Sequence, residues 1–141
     1  MAPLLTREHV SSRKLVWIGP LAIVCTLIVN LLVRAVVVAF FGVSSTFQYF
    51  QVPYIIGSTI IYLLLAILAF VLVSRFARRP VRFYCILALI ALLVSLLFPV
   101  MALTGGLHAP GMNVHIFWSM IAMHITSAAI VVGLLATLTR K

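Results

Sequence analysis

The chain has 141 residues, 65% of them hydrophobic and only 8% charged, with a formal net charge of +9. A water-soluble domain of this size needs far more polar surface, so soluble fold classes are excluded. The basic residues flank apolar runs, which the positive-inside rule explains without any nucleic-acid partner.

Apolar stretches of about 20 residues read as membrane-spanning helices. Four occur: Leu15–Phe41, Pro53–Ser74, Phe83–Leu103 and Val114–Leu138. They leave little room for anything else. The chain therefore reads as one all-α domain, an antiparallel bundle of four transmembrane helices. The first span is too long for the core of a signal peptide, and no clean small-x-small site follows it. It is expected to be a retained anchor.

Charge sets the expected topology. Arg7, Arg13 and Lys14 precede the first span, and Arg75, Arg78, Arg79 and Arg82 join the second to the third. Arg140 and Lys141 end the chain, while Gly42–Val52 and Thr104–Asn113 carry no Lys or Arg. Both termini are thus expected in the cytoplasm. Arg79-Pro80, Gly105-Gly106 and Pro110-Gly111 punctuate the connections. Pro20 and Pro99 fall inside spans but near an end, where a freed carbonyl is easier to satisfy. The aromatic segment Phe47–Tyr54 is expected to lie in the headgroup layer as an interfacial anchor.

Lipid tails are as apolar as leucine, so helices in a bilayer meet through small and polar residues. Residues three or four apart share a helix face. The first span offers Ala22, Thr26, Asn30 and Arg34; the second Ser58, Tyr62, Ala66 and Ala69. The third offers Ala88, Ala91, Ser95 and Pro99; the fourth Ala122, Thr126, Ala129, Gly133 and Thr137 as its packing stripe. One inward stripe per helix suits a compact bundle. His124 and Ser127 lie well round the fourth helix from its stripe, which suggests a second buried face, against another protein.

Arg34 is the sharpest functional clue, because an arginine within a span costs several kcal/mol unless it is satisfied. It lies about 10 Å below the outer end of its helix. Depth counting brings Ser58 and Thr59 near its level, with Asn30, Ser95 and His124 somewhat deeper. These groups and Ser127 form a candidate polar layer for a partner or for the head group of a lipid, quinone or pigment. The sole acidic residue, Glu8, is at the opposite end, so no internal carboxylate is available. Asn30, hydroxyls, backbone carbonyls, a lipid phosphate reached by snorkelling, a bound ligand or a partner's carboxylate remain.

The other reactive side chains point to little chemistry. His9 is in the basic tail, and His108 and His115 are near the outer surface. His115 and His124 share one helix about half a turn apart, which makes no intrachain bis-histidine haem or metal site. Cys25 and Cys85 fall within spans and form no C-x-x-C, so they read as small buried hydrophobes. Proton-coupled multidrug export needs a membrane carboxylate, and none is present. No phosphate-cradling loop, nucleophile elbow or carboxylate pair occurs. No catalytic residue is assigned.

Asn30 in the first span, Arg78-Arg79-Pro80-Val81-Arg82-Phe83 between the second and third, Ser95-Leu96-Leu97-Phe98-Pro99 late in the third and Met123-His124 in the fourth form a loose pattern over most of the chain. In these the chain resembles a family of small four-helix bacterial membrane proteins, classed as a domain of unknown function. The resemblance implies a bacterial four-helix bundle, and the chain is expected to be a multi-pass protein of the bacterial plasma (inner) membrane. It implies no activity and no site residues.

The expected function is a non-catalytic accessory or structural subunit that packs against a membrane partner or its own copies. The alternatives are a small channel or carrier for an anion or amphiphile, with Arg34 as selectivity charge, and an enzyme acting on lipids with His124 as acid or base. The apolar inner halves Leu63–Val73 and Cys85–Leu93 argue against a pore through one copy.

Overall fold

The computed structural model describes residues 12–139; Arg7, Glu8, His9, Arg140 and Lys141, named above, lie outside them. Helix α1 runs Ser12–Phe40, a 3-10 turn covers Gln48–Phe50, and α2 runs Val52–Phe76. Then come α3 (Pro80–Ser95), α4 (Leu97–Leu103) and α5 (Val114–Leu138). Four helical stretches are long and apolar enough to cross a membrane: Arg13–Phe40, Val52–Phe76, Pro80–Leu103 and Val114–Leu138. No strand occurs among the described residues, and the all-α expectation holds.

Local chemistry sets the helix ends. Proline occupies the first turn of both α2 and α3, where the missing N–H is not needed. Asn113 caps α5, its side-chain oxygen accepting the Ile116 N–H at 2.9 Å. Gly111 turns the chain before that cap at φ +88°, a conformation that favours glycine.

The two intra-span prolines act differently. Helix α1 passes through Pro20 unbroken. The third span breaks at Leu96, which divides α3 from α4. Pro99 explains the position: it has no N–H for the carbonyl of Ser95, four residues back, and its ring crowds that carbonyl. The chain recovers through Leu96, whose carbonyl accepts the Val100 N–H at 3.4 Å.

Helix α1 packs along both α5 and α2, and α3 closes the ring between α2 and α5. Apolar packing falls into two clusters. One, at the end carrying the basic residues, holds Ile18 and Ala22 of α1, Leu63 and Phe70 of α2, Tyr84 of α3 and Val131 and Leu135 of α5. The other holds Val37, Val43, Phe47, Phe50, Ile55, Ile116, Met120 and Met123. Outward positions are large and apolar, as in Leu64, Leu65 and Leu68 of α2 and Ile86, Leu89 and Ile90 of α3. Helices apolar on every side are what lipid contact requires.

Three packing expectations are corrected. Helix α2 buries Ile55, Thr59, Leu63 and Phe70, while Tyr62 is exposed, so its inner face lies one residue round from the Ser58–Tyr62 line. Helix α5 buries Ile116, Met120, Met123, Val131 and Leu135, and leaves Ala129, Gly133 and Thr137 outside. Large side chains supply most of its contact with the bundle, joined by Ser119, Ser127 and Ala136. The Phe47–Tyr54 segment is no simple surface anchor either: Phe50 is wholly buried and Phe47 nearly so. Tyr49 meets Phe98 of α4 edge-on at 5.1 Å, which locks the segment against the third span.

Candidate functional site

Between the two apolar clusters lies a polar layer centred on Asn30. Its side chain is 6% exposed, and helix spacing puts it above Ala22 and Thr26 on the buried face of α1. The amide nitrogen donates to Thr59 Oγ1 of α2 at 3.1 Å and to Ser127 Oγ of α5 at 3.2 Å. The Ser127 hydroxyl donates in turn to the Asn30 carbonyl oxygen at 3.3 Å. One residue thus ties three helices, and both its N–H groups and its acceptor are in use.

Four other predicted members, Ser58, Ser95, His124 and Arg34, form no hydrogen bond with this layer. The Ser58 hydroxyl donates to the Tyr54 carbonyl of its own helix at 2.7 Å, and that of Ser95 to Leu92 at 2.7 Å. This back-bonding satisfies a hydroxyl without a neighbour. Thr126 does the same toward Ala122, at 2.7 Å. Half-buried His124 bonds the Met120 carbonyl through Nδ1 at 2.7 Å. A carbonyl only accepts, so Nδ1 carries the proton in that bond. No hydrogen bond joins His124 to Asn30, Thr59 or Ser127.

Arg34 takes a partner that sequence reasoning named only generically, a backbone carbonyl. Its Nε donates to the carbonyl oxygen of Phe50 at 2.5 Å. That carbonyl belongs to the 3-10 turn whose aromatic side chains fill the cluster beneath it. The guanidinium keeps two terminal amino groups, and among the described residues these have no partner. The residue is half-buried. Phe50 itself was missed, because a buried turn reached from sixteen residues away leaves no periodic signal.

Two buried hydroxyls, Thr26 Oγ1 and Tyr84 OH, have no hydrogen-bond partner among the described residues. Tyr84 instead meets Phe70 edge-on at 4.9 Å.

An open apolar groove runs between α1 and α2, lined by Leu15, Val16, Gly19, Pro20, Ile23, Leu64 and Ile67. A shallow depression occupies the loop before α5, around His108. Neither reaches the Asn30 layer. Among the described residues no three His, Cys, Asp or Glu side chains are grouped so as to hold a metal ion. Cys25 and Cys85 are free thiols.

No curated protein and no solved structure shows a significant match to the chain. The profile of one family matches residues 10–141, nearly the whole sequence and all four spans. The chain belongs to that family, DUF6069, a family of unknown function.

Proposed function

We propose that the protein is a non-catalytic subunit of the bacterial plasma membrane, with both termini cytoplasmic, that packs against a membrane partner or its own copies through the outward face of α5. One observation carries this reading. Ala129, Gly133 and Thr137 form a small-residue line on the exposed side of α5, and nothing lies within 4 Å of a Cβ placed at Gly133. The outward faces of α2 and α3 carry leucine and isoleucine instead. Small residues let helix backbones approach closely, which is how association proceeds in lipid.

The other readings have less support. The Asn30 layer spends its hydrogen bonds on Thr59 and Ser127, which leaves little for a lipid, quinone or pigment head group at that spot. A channel needs a polar path, but Ile18, Ala22, Leu63, Phe70 and Leu135 fill the basic end of the bundle. A lipid enzyme would need a nucleophile or metal beside His124.

The test is native mass spectrometry of the protein extracted gently from its own membranes, beside Gly133→Ile. The expected result is a larger assembly in the parent and a monomer of unchanged helicity in the variant. A bare monomer in both would refute the reading and make anion flux in liposomes the next assay.

A further inference from the structure

Arg34 and the α1–α2 groove belong to one surface. Val16, Ile23, Leu27 and Arg34 are seven, four and seven residues apart, and eighteen residues make about five full helical turns. They therefore lie on one line along α1. Val16 is exposed and the other three are half-buried, with Ile23 beside Leu64 and Ile67 of α2 and Arg34 bonded to the turn before α2. At the lower end of this line, Val16, Pro20 and Ile23 form one wall of the groove, with Leu64 and Ile67 opposite. Gly19 keeps the groove narrow at its base, since a Cβ there would meet Ile67 Cδ1 at 3.4 Å.

Depth matters next. Arg34 lies eight residues beyond the middle of α1, about 12 Å along the axis. The hydrocarbon core extends about 15 Å from the bilayer centre. A centred α1 therefore places Arg34 just inside the hydrocarbon boundary, within reach of the phosphate layer. From Arg34 down to Ile23 is eleven residues, about 16 Å, so Ile23, at the upper rim of the groove, lies just past the bilayer centre, where the tip of a long acyl chain from the Arg34 side ends.

Charge supplies the rest. The Nε bond to Phe50 holds the guanidinium in place and leaves both terminal amino groups for another acceptor. The chain's single acidic residue, Glu8, precedes α1 and cannot neutralise Arg34 at the far end of that helix. A guanidinium matches phosphate in bidentate geometry.

The geometry points to a bound anionic phospholipid of the leaflet on the loop side, its phosphate on the terminal amino groups of Arg34 and one acyl chain down α1 to the rim of the groove at Ile23. A net-anionic lipid fits better than a zwitterionic one, because its charge is not already cancelled by its own head group. This surface is separate from the exposed face of α5, so it stands or falls apart from the subunit reading.

The test uses the full chain in neutral detergent, titrated with phosphatidylglycerol or with phosphatidylcholine of the same acyl chains. Bound lipid is counted by native mass spectrometry. The parent should retain one phosphatidylglycerol about tenfold or more tightly than phosphatidylcholine, and Arg34→Gln should lose that preference. Ile23→Trp, which fills the groove while leaving Arg34 in place, should weaken retention of long-chain phosphatidylglycerol and not of a six-carbon form. Equal retention of the two lipids by the parent overturns the proposal without recourse to any variant. So does undiminished binding in a folded Arg34→Gln, or a co-purifying protein, rather than a lipid, whose loss follows that substitution.

Discussion

The Asn30 node makes a quantitative prediction. Two hydroxyls on two different helices meet one amide, so the coupling of each can be isolated by a double-mutant cycle. Asn30→Ala combined with Thr59→Val reports the α1–α2 link; combined with Ser127→Ala it reports the α1–α5 link. Each single change also alters local packing, but the cycle cancels what the two changes do separately. Interhelical hydrogen bonds in lipid average about 0.6 kcal/mol and reach about 1.7. Thr59 meets Asn30 through one contact of 3.1 Å, so its coupling should lie near about 0.6 kcal/mol, roughly threefold in the unfolding equilibrium. Ser127 both donates and accepts, so its coupling should be the larger and fall toward about 1 kcal/mol. The assay is reversible unfolding in mixed micelles of rising dodecyl sulfate fraction, followed by circular dichroism. Zero coupling in both cycles would refute the node. Coupling of Thr59 alone would mean that Ser127 turns back to its own helix, as Thr126 does.

Other substitutions separate satisfied from unsatisfied groups. Thr26→Val and Tyr84→Phe each remove a buried hydroxyl that has no partner among the described residues, and each should raise stability by up to about 1 kcal/mol in the same micelle titration. A loss in either would show that the hydroxyl has a partner after all. Gly111→Ala should lower stability by about 1–2 kcal/mol, because φ +88° strains an L-residue. Unchanged unfolding of that variant would count against the turn. Gly133→Leu should leave the stability of a single copy unchanged or raise it by up to about 1 kcal/mol, since the site is open and leucine favours helix. Pro99→Ala should restore a hydrogen bond to the Ser95 carbonyl and slow amide exchange through 96–100 in deuterated buffer. Unaltered exchange there would place the cause of the break elsewhere.

How much of this was legible in the sequence depends on which contact decided each element. The spans followed from length and hydropathy, and the inward line Ala22–Thr26–Asn30 from spacing, because α1 packs against both α2 and α5 and a polar residue within a span needs a neighbour. The second span was read one position off. Ser58 and Thr59 are adjacent, and in an otherwise apolar helix neither hydropathy nor size ranks one above the other. Only the partner, Asn30, selects Thr59. The fourth span was misread in its lower half, where Ala129, Gly133 and Thr137 face outward, because the small-residue rule identifies surfaces fit for close approach but not which neighbour is present. Ile116, Met120, Met123, Val131 and Leu135 fill the clusters instead, with Ser127 bonded to Asn30. The Arg34 contact was beyond reach, since its acceptor is a main-chain carbonyl that any residue type at position 50 would carry.

The break at Leu96 gives the third span a mechanical character of its own. Tyr84 against Phe70 holds it at one end, and Phe98 against Tyr49 holds it at the other. Between Tyr84 and Pro99 no residue is buried. A rod fixed at two points and jointed between them yields first when the surrounding film thins or stretches. Bending of the third span therefore costs least at Leu96, where one helical hydrogen bond is already absent, while Asn30 ties the other three spans together.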